Sequence, residues 1–310
     1  MTLEQILEDI KTDRVKKCIL DSDMYNEMDD QYALAYCLGS DKINLLSVNA
    51  APFDNNKVPD FKAGMEASYD ETFRILDLCG KNDGSIPVFK GSDVRFSPEN
   101  DYAPIDSPAA RNIIKTVRES DEIIYILATG CCSNVISAYL IDPTIKDNVC
   151  VIWLGGHSLD YCDCDEFNAT QDFPAAQRLI NSDIPLILLP AFANDKACGT
   201  QVLRCGFEEL SKITDDKEPQ KFFRETFPMK FACKHDPNPD LKAWSRVIWD
   251  IAAPGLIANP TSYTFKIIPA PVFTDKIRYA FDSTRRKIIY MEKLDKDVVF
   301  ADTWKAINSL

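Results

Sequence analysis

Four aspartates fall within one ten-residue stretch, "DSDMYNEMDD": Asp21, Asp23, Asp29 and Asp30. Asp21 and Asp23 close an apolar run, "KKCILD", that reads as a strand. Asp29 and Asp30 open "DDQYALAYCLGS", which reads as a helix with Gly39 near its stop. Carboxylates this close repel, and without a cation at least one of them stays protonated. A divalent cation removes the conflict, and clustered aspartate oxygens suit a hard ion, Ca²⁺ or Mg²⁺. Asp29 and Asp30 also gain from the positive end of a helix, so a plain capping role accounts for part of the pattern. It does not account for D-x-D at a strand end.

Other residues invite chemistry less strongly. Asp250 lies in the apolar stretch "VIWDIAAP", where a buried carboxylate needs a partner. Glu166 and Asn168, taken alone, read as a solvated acid and a turn or helix cap. Of the two histidines, His157 follows G-G at a strand end, where it could face a pocket, and His235 falls in a loop; each reads as a surface or loop residue rather than a catalyst. Cys131, Cys132, Cys162 and Cys164 lie near one another in the expected layout. Their C-C and C-x-C spacings fit poorly to the paired knuckles of a zinc site.

The elements that must position these residues alternate. Strand patterns at 16–21, 43–51, 86–91, 122–130, 148–156 and 185–191 are separated by helical ones. The strands are continuously apolar, as when both sheet faces are covered. This predicts an α/β fold, an open, doubly wound, mostly parallel sheet with helices on both faces, as one domain over 1–310. Residues 200–260 read as mostly helical, and 263–300 as short strands or a terminal hairpin. In such a sheet, ligands bind beyond the carboxyl ends of the strands. The odd residues lie there: Asp21-Ser-Asp23, "NAAPFDNN", "TGCCSN" and "LGGH".

The net charge of -13 argues against a nucleic-acid partner. No apolar run reaches membrane-spanning length. The N-terminal segment reads as an amphipathic helix with a Thr2/Gln5 capping box rather than a signal peptide. Eleven cysteines, many inside apolar segments, read as reduced thiols. A cytoplasmic protein is the expectation.

D-x-D after an apolar strand occurs both in haloacid-dehalogenase-like phosphatases and in nucleoside hydrolases. The following D-D favours the second. "ILATGCCSNVISAYLIDPTIKDNVCVIWLGG" (126–156) resembles the nucleoside hydrolase segment in which a strand leads to T-G-x-x-[T/S]-N, a helix and a strand ending in G-G. "DEFNATQDFPAAQRLI" (165–180) resembles that family's E-F-N motif and the helix after it. "VIWDIAAPGLIANP" (247–260) resembles the segment carrying its last metal aspartate. The chain therefore resembles a divergent branch of the nucleoside hydrolase superfamily.

That resemblance implies a Ca²⁺-dependent N-ribosyl hydrolase. Asp23 would bind Ca²⁺ and act as the base on a metal-activated water. Asp30, the Ser133 carbonyl and Asp250 would be further ligands, with Asp21 supporting them. Asp29, Glu166 and Asn168 would hold the ribose. The transition state is oxocarbenium-like, so nearby carboxylates stabilise it. Family members are commonly dimers or tetramers, so a homo-oligomer is expected on the same ground.

Three departures stand out. Five residues rather than about three separate D-x-D from D-D, which frees Glu27 to join the metal or the pocket. Trp249 replaces the histidine that usually precedes the last metal aspartate; Trp249 or Trp244 would then stack on the base. "NAAPFDNN" replaces a Gly-Asn loop, so Asn49, Asp54, Asn55 or Asn56 would supply the missing sugar contact, and Asp160 would meet the 5′ end of the sugar. The substrate is thus a nucleoside or related ribosyl compound. The alternatives are a ribosyl-ligand binder with weak or no activity and a Mg²⁺-dependent dehalogenase-type phosphohydrolase.

Overall fold

The computed structural model describes residues 1–234 and 236–310; His235 lies outside the described residues. The strands run β1 (Lys16–Ser22), β2 (Ile43–Ala50), β3 (Val88–Lys90), β4 (Ile124–Ala128), β5 (Val149–Leu154), β6 (Leu186–Leu189), β7 (Arg204–Gly206), β8 (Ser245–Val247), β9 (Tyr263–Pro269), β10 (Val272–Thr274), β11 (Arg278–Ala280) and β12 (Lys287–Leu294). Eight of them form one sheet in the order β3-β2-β1-β4-β5-β6-β12-β9. Its neighbours pair in parallel except β12 with β9. This is the expected doubly wound α/β architecture.

The helices that matter for the site are α1 (Leu3–Ile10), α2 (Asp29–Gly39), α3 (Phe61–Leu78), α4 (Pro108–Arg118), α5 (Ser133–Ile141), α6 (Phe167–Gln171) and α7 (Phe173–Asn181). Every residue of β4 and β5 is buried, because helices cover both sheet faces. Successive side chains alternate between those faces. Cys18, Leu20, Tyr125 and Leu127 join one core with α1 and α2. Ile19, Ile124 and Ile126 join the other with α4, α5 and α7.

β1 lies between β2 and β4. The chain leaves β1 toward one edge and returns to β1's other side, which opens a crevice at the carboxyl ends of β1 and β4. The D-x-D cluster and "TGCCSN" meet there.

Three regions depart from the expectation. Residues 204–247 contain a two-stranded ribbon, β7 with β8, and only short helical pieces between. β9 and β12 extend the main sheet rather than forming a separate hairpin, with the β10–β11 ribbon between them. Helix Lys296–Asn308, which the apolar pattern did not announce, buries Val299, Phe300, Thr303, Trp304 and Ile307. Its charged Lys296, Asp297, Asp302 and Lys305 interrupt the pattern.

The Thr2/Gln5 capping box forms as read. All eleven cysteines are free thiols. Among the described residues, no helix is long and apolar enough to cross a membrane.

Candidate active site

The crevice holds a cavity of about 340 Å³ at the ends of β1, β4, β5 and β6. Asp23, Asp29, Asp30 and Asp250 line one wall, and His157, Phe192 and Trp249 line another. Glu166, Asn168 and Asn55 also reach it.

The carboxylate wall is assembled from three places. β1 delivers Asp23 just past its end. Gly130 permits this: a Cβ there would meet the Ala51 side chain at 2.8 Å and the Asp23 backbone nitrogen at 3.1 Å. The first turn of α2 delivers Asp29 and Asp30. A short 3₁₀ turn, Trp249–Ile251, delivers Asp250. Asp29, Asp30 and Asp250 are buried, and each offers an oxygen within 4.8 Å of the others. Like charges at that distance cost about 3 kcal/mol per pair at an effective dielectric of about 20.

Hydrogen bonds offset only part of this. Asp30 accepts from the Ser22 hydroxyl and, at 3.2 Å, from the Thr129 hydroxyl. Asp29 accepts from the Trp249 backbone N–H at 3.1 Å. Asp23 Oδ2 is buried and has no partner among the described residues. Burial, then the neighbouring carboxylates, pushes the Asp23, Asp29 and Asp250 carboxyls well above the usual range. Burial raises Asp30 to about 6. A buried, unpartnered oxygen beside three crowded carboxylates fits a hard divalent cation. The four cysteines do not make such a site: Cys131, Cys132 and Cys164 are buried, and Cys162 is exposed beside Asp163.

Glu166 and Asn168 organise the cavity floor. Glu166 caps α6, accepting from Asn168 N at 2.9 Å and Ala169 N at 3.1 Å, and also takes the Gly156 N–H at 3.0 Å. Gly156 has φ of +67°, and a Cβ there would meet the Tyr279 hydroxyl at 2.7 Å. Burial outweighs these bonds and raises Glu166 to about 7. Asn168 donates its side-chain amide to the Thr129 carbonyl at 2.8 Å and the Leu154 carbonyl at 3.0 Å. It thereby ties the ends of β4 and β5 together.

Other candidates fall elsewhere. Asp21 is buried beside the Asn134 amide at 3.2 Å and does not line the cavity. Ser133 opens α5 and donates to Asp172 at 2.6 Å; it too lies outside the lining, where Thr129 stands instead. Asn56 and Asp160 are exposed outside it, and Asp160 accepts from the Ser158 hydroxyl. Asn49 pairs with Asn112 in the interior, and Asp54 pairs with Arg95 at 3.0 Å. Trp244 packs on Phe207. Of the loop candidates, Asn55 reaches the cavity and donates to Asn26 at 2.8 Å.

His157 faces the cavity, but both ring nitrogens meet backbone groups. Nε2 lies 3.1 Å from the Asp165 carbonyl and Nδ1 lies 3.4 Å from the Phe192 N–H. Its ring packs on Phe192, which meets Trp249 edge-on at 4.9 Å between centroids. Burial lowers the His157 pKa. Glu27, in the longer loop, pairs with Arg246. Phe192, Thr129 and Arg246 escaped the sequence reading. The strand-end rule points at the first two, whereas nothing in the spacing marks Arg246.

Residues 18–266 match the family model for inosine-uridine preferring nucleoside hydrolases. The chain belongs to that family. Curated relatives include proteins named pyrimidine-specific ribonucleoside hydrolase RihA. The one from Citrobacter koseri is 26% identical over 192 residues, 54% of this chain and 58% of that protein. The one from Escherichia coli O1:K1 is 24% identical over the same shares. The chain thus spans less than two thirds of the length of these relatives. Among solved structures, a plant nucleoside hydrolase superposes with a TM-score of 0.73 at 18% identity, covering 95% of this chain and 99% of that one. A purine-preferring ribonucleoside hydrolase from Gardnerella vaginalis gives 0.71 at 20% identity, covering 94% and 98%. These structures share the fold.

Proposed function

We propose that the protein hydrolyses the N-glycosidic bond of a nucleoside or related ribosyl compound, with Ca²⁺ held by the aspartate wall. The observation that carries this reading is Asp23 Oδ2, buried without a partner beside Asp29, Asp30 and Asp250 in a cavity faced by aromatic rings. Asp23, Asp30 and Asp250 would hold the ion. Asp29 has one oxygen committed to the Trp249 N–H and keeps the other for the ion or a sugar hydroxyl. Bound there, Ca²⁺ supplies Lewis acidity toward water and a grip on vicinal hydroxyls.

The remaining chemistry belongs to the side chains. Asp23 takes the proton from the water that attacks C1′. Its carboxylate neighbours and Glu166 offset positive charge on the oxocarbenium-like sugar. Asn168 presents its side-chain oxygen to a ribose hydroxyl. Trp249 and Phe192 offer faces and edges to the departing base, and Arg246 offers N–H donors to it. His157 has no free nitrogen with which to protonate the base.

Release of reducing sugar from a panel of purine and pyrimidine nucleosides tests this. Turnover should fall at least about 100-fold in Asp23→Asn, the scale of a lost general base, and should vanish with a chelator. Absence of turnover on every ribosyl substrate, with binding retained, would instead identify a ribosyl-ligand binder.

A further inference from the structure

A second cavity, of about 330 Å³, lies on the other side of the loop that carries Glu27. Glu27 lines both cavities. Two further contacts make the loop a partition. Arg246, on the first cavity's wall, pairs with Glu27 and lies over the Phe231 ring of the second, 5.9 Å from its centroid. Lys57, in the second cavity, donates to the carbonyl of Asn26, which lines the first.

The charge balance of this second cavity is unlike that of the chain. Its two carboxylates already have partners: Glu27 pairs with Arg246, and Glu71 is held by Arg74 at 2.6 Å. Lys57, Lys230 and Lys234 also line it, and among the described residues none of the three forms an ion pair. Lys230 and Lys234 are exposed. Three unneutralised ammonium groups around one concavity, in a protein of net charge -13, concentrate positive potential against the overall field. Apolar walls flank them: Tyr25, Phe227 and Phe231.

One more polar group faces the same space. Gln31 lines the cavity, is 2% exposed, and gives its amide N–H groups to the Met24 carbonyl and to Glu71. Its Oε1 is buried with no partner among the described residues. Lysine ammonium groups suit an oxyanion, and a lone acceptor beside them suits an O–H on the same group. Monohydrogen phosphate carries both.

We infer that the cavity bounded by Lys57, Lys230, Lys234 and Gln31 is an oxyanion site, matched in full by a phosphate group and, through its lysines alone, by a carboxylate. Its place against the first cavity puts the bound charge one loop away from a ligand in the aspartate-lined site. The oxyanion then comes either from an acidic group carried by the ribosyl ligand itself or from a free phosphate that braces the Asn26–Glu27 loop through Lys57. The site stands independently of whether the first cavity turns over nucleosides.

Calorimetric titration of the full chain with inorganic phosphate at low ionic strength tests it. Saturable binding near one phosphate per chain is expected. It should weaken at least tenfold in Lys230→Ala/Lys234→Ala, whose melting temperature should stay within a degree or two of wild type because both side chains are exposed. Asp23→Asn should bind phosphate as wild type does, which separates this site from the proposed activity. No saturable binding, or binding unchanged by the double substitution, overturns the inference. Competition in the Asp23→Asn protein then identifies the source. Displacement of phosphate by a nucleoside 5′-monophosphate places the oxyanion on the sugar, and displacement by a base-carboxylated nucleoside places it on the leaving group. Displacement by neither identifies a free oxyanion as the occupant.

Discussion

The backbone N–H of Trp249 meets a carboxylate oxygen of Asp29 at 3.1 Å, joining residues 220 positions apart in the chain. This bond docks the Trp249–Ile251 turn on the first turn of α2. It therefore sets two things at once: Asp250 beside Asp29 and Asp30, and Trp249 in the lining of the same cavity.

A cation that relieves the repulsion among these carboxylates must also stabilise the fold. At a concentration a thousandfold above its Kd, mass action contributes about 4 kcal/mol. Calcium should raise the melting temperature of chelator-treated protein by several degrees. Asp250→Asn should lose most of that rise while melting no lower than wild type in the absence of metal, because one buried like charge is gone. Scanning calorimetry with and without chelator checks both, and an equal calcium response in the two proteins would contradict the assignment.

Glu27 occupies the longer loop but pairs with Arg246 rather than joining the three clustered aspartates. Glu27→Gln should therefore keep the calcium-induced rise in melting temperature. Arg246, no longer neutralised, should alter ligand affinity instead. Side-by-side thermal melts and nucleoside titrations separate the two effects.

Trp249 offers an aromatic surface that phenylalanine partly preserves. An aromatic contact of this kind is worth about 0.5–1.5 kcal/mol beyond area burial. Trp249→Phe should retain most of kcat/KM on nucleosides. Trp249→Ala should lose about tenfold or more, in kcat/KM, if stacking on the base is the role. Equal losses in both variants would point to the indole N–H instead.

Glu166 gives a pH signature. Its usual value is 4.5 and burial raises it to about 7 in the folded chain. Below pH 4 both folded and unfolded chains hold this proton. Between there and about pH 7 the folded chain keeps a proton that the unfolded chain has released, so its contribution to stability falls as pH rises. A single such group changes the folding equilibrium by up to about tenfold per pH unit in that window. Chelator-treated wild type should therefore lose stability more steeply than Glu166→Gln from pH 4.5 to 7. Denaturant melts across that range measure the difference in slope.

Much of this was legible from residue order. Continuous apolar strands alternating with helical patterns require a covered parallel sheet. A parallel sheet gathers the carboxyl ends of its strands on one rim, where "DSDMYNEMDD" and "TGCCSN" both fall. A carboxylate in "VIWDIAAP" required a partner, and it has neighbours of its own kind. Local pattern carries such information because periodicity and burial are properties of short segments. It carries much less for residues 200–300, where short ribbons and helical turns take their form from the surfaces they pack on.

The tertiary structure decided what spacing cannot express. Asn168 serves as a tie between two strand-end carbonyls because β4 and β5 end at the same height. His157 is spent on backbone groups because the loops ending in Asp165 and Phe192 close around it. Asp160 and Asn56 are exposed outside the cavity lining although Asn55 and His157 reach it. Arg246 meets Glu27 only because the β7–β8 ribbon folds back over the β1–α2 loop. Each of these depends on distance between segments far apart in the chain, and a sequence specifies that distance only through the packing of the whole.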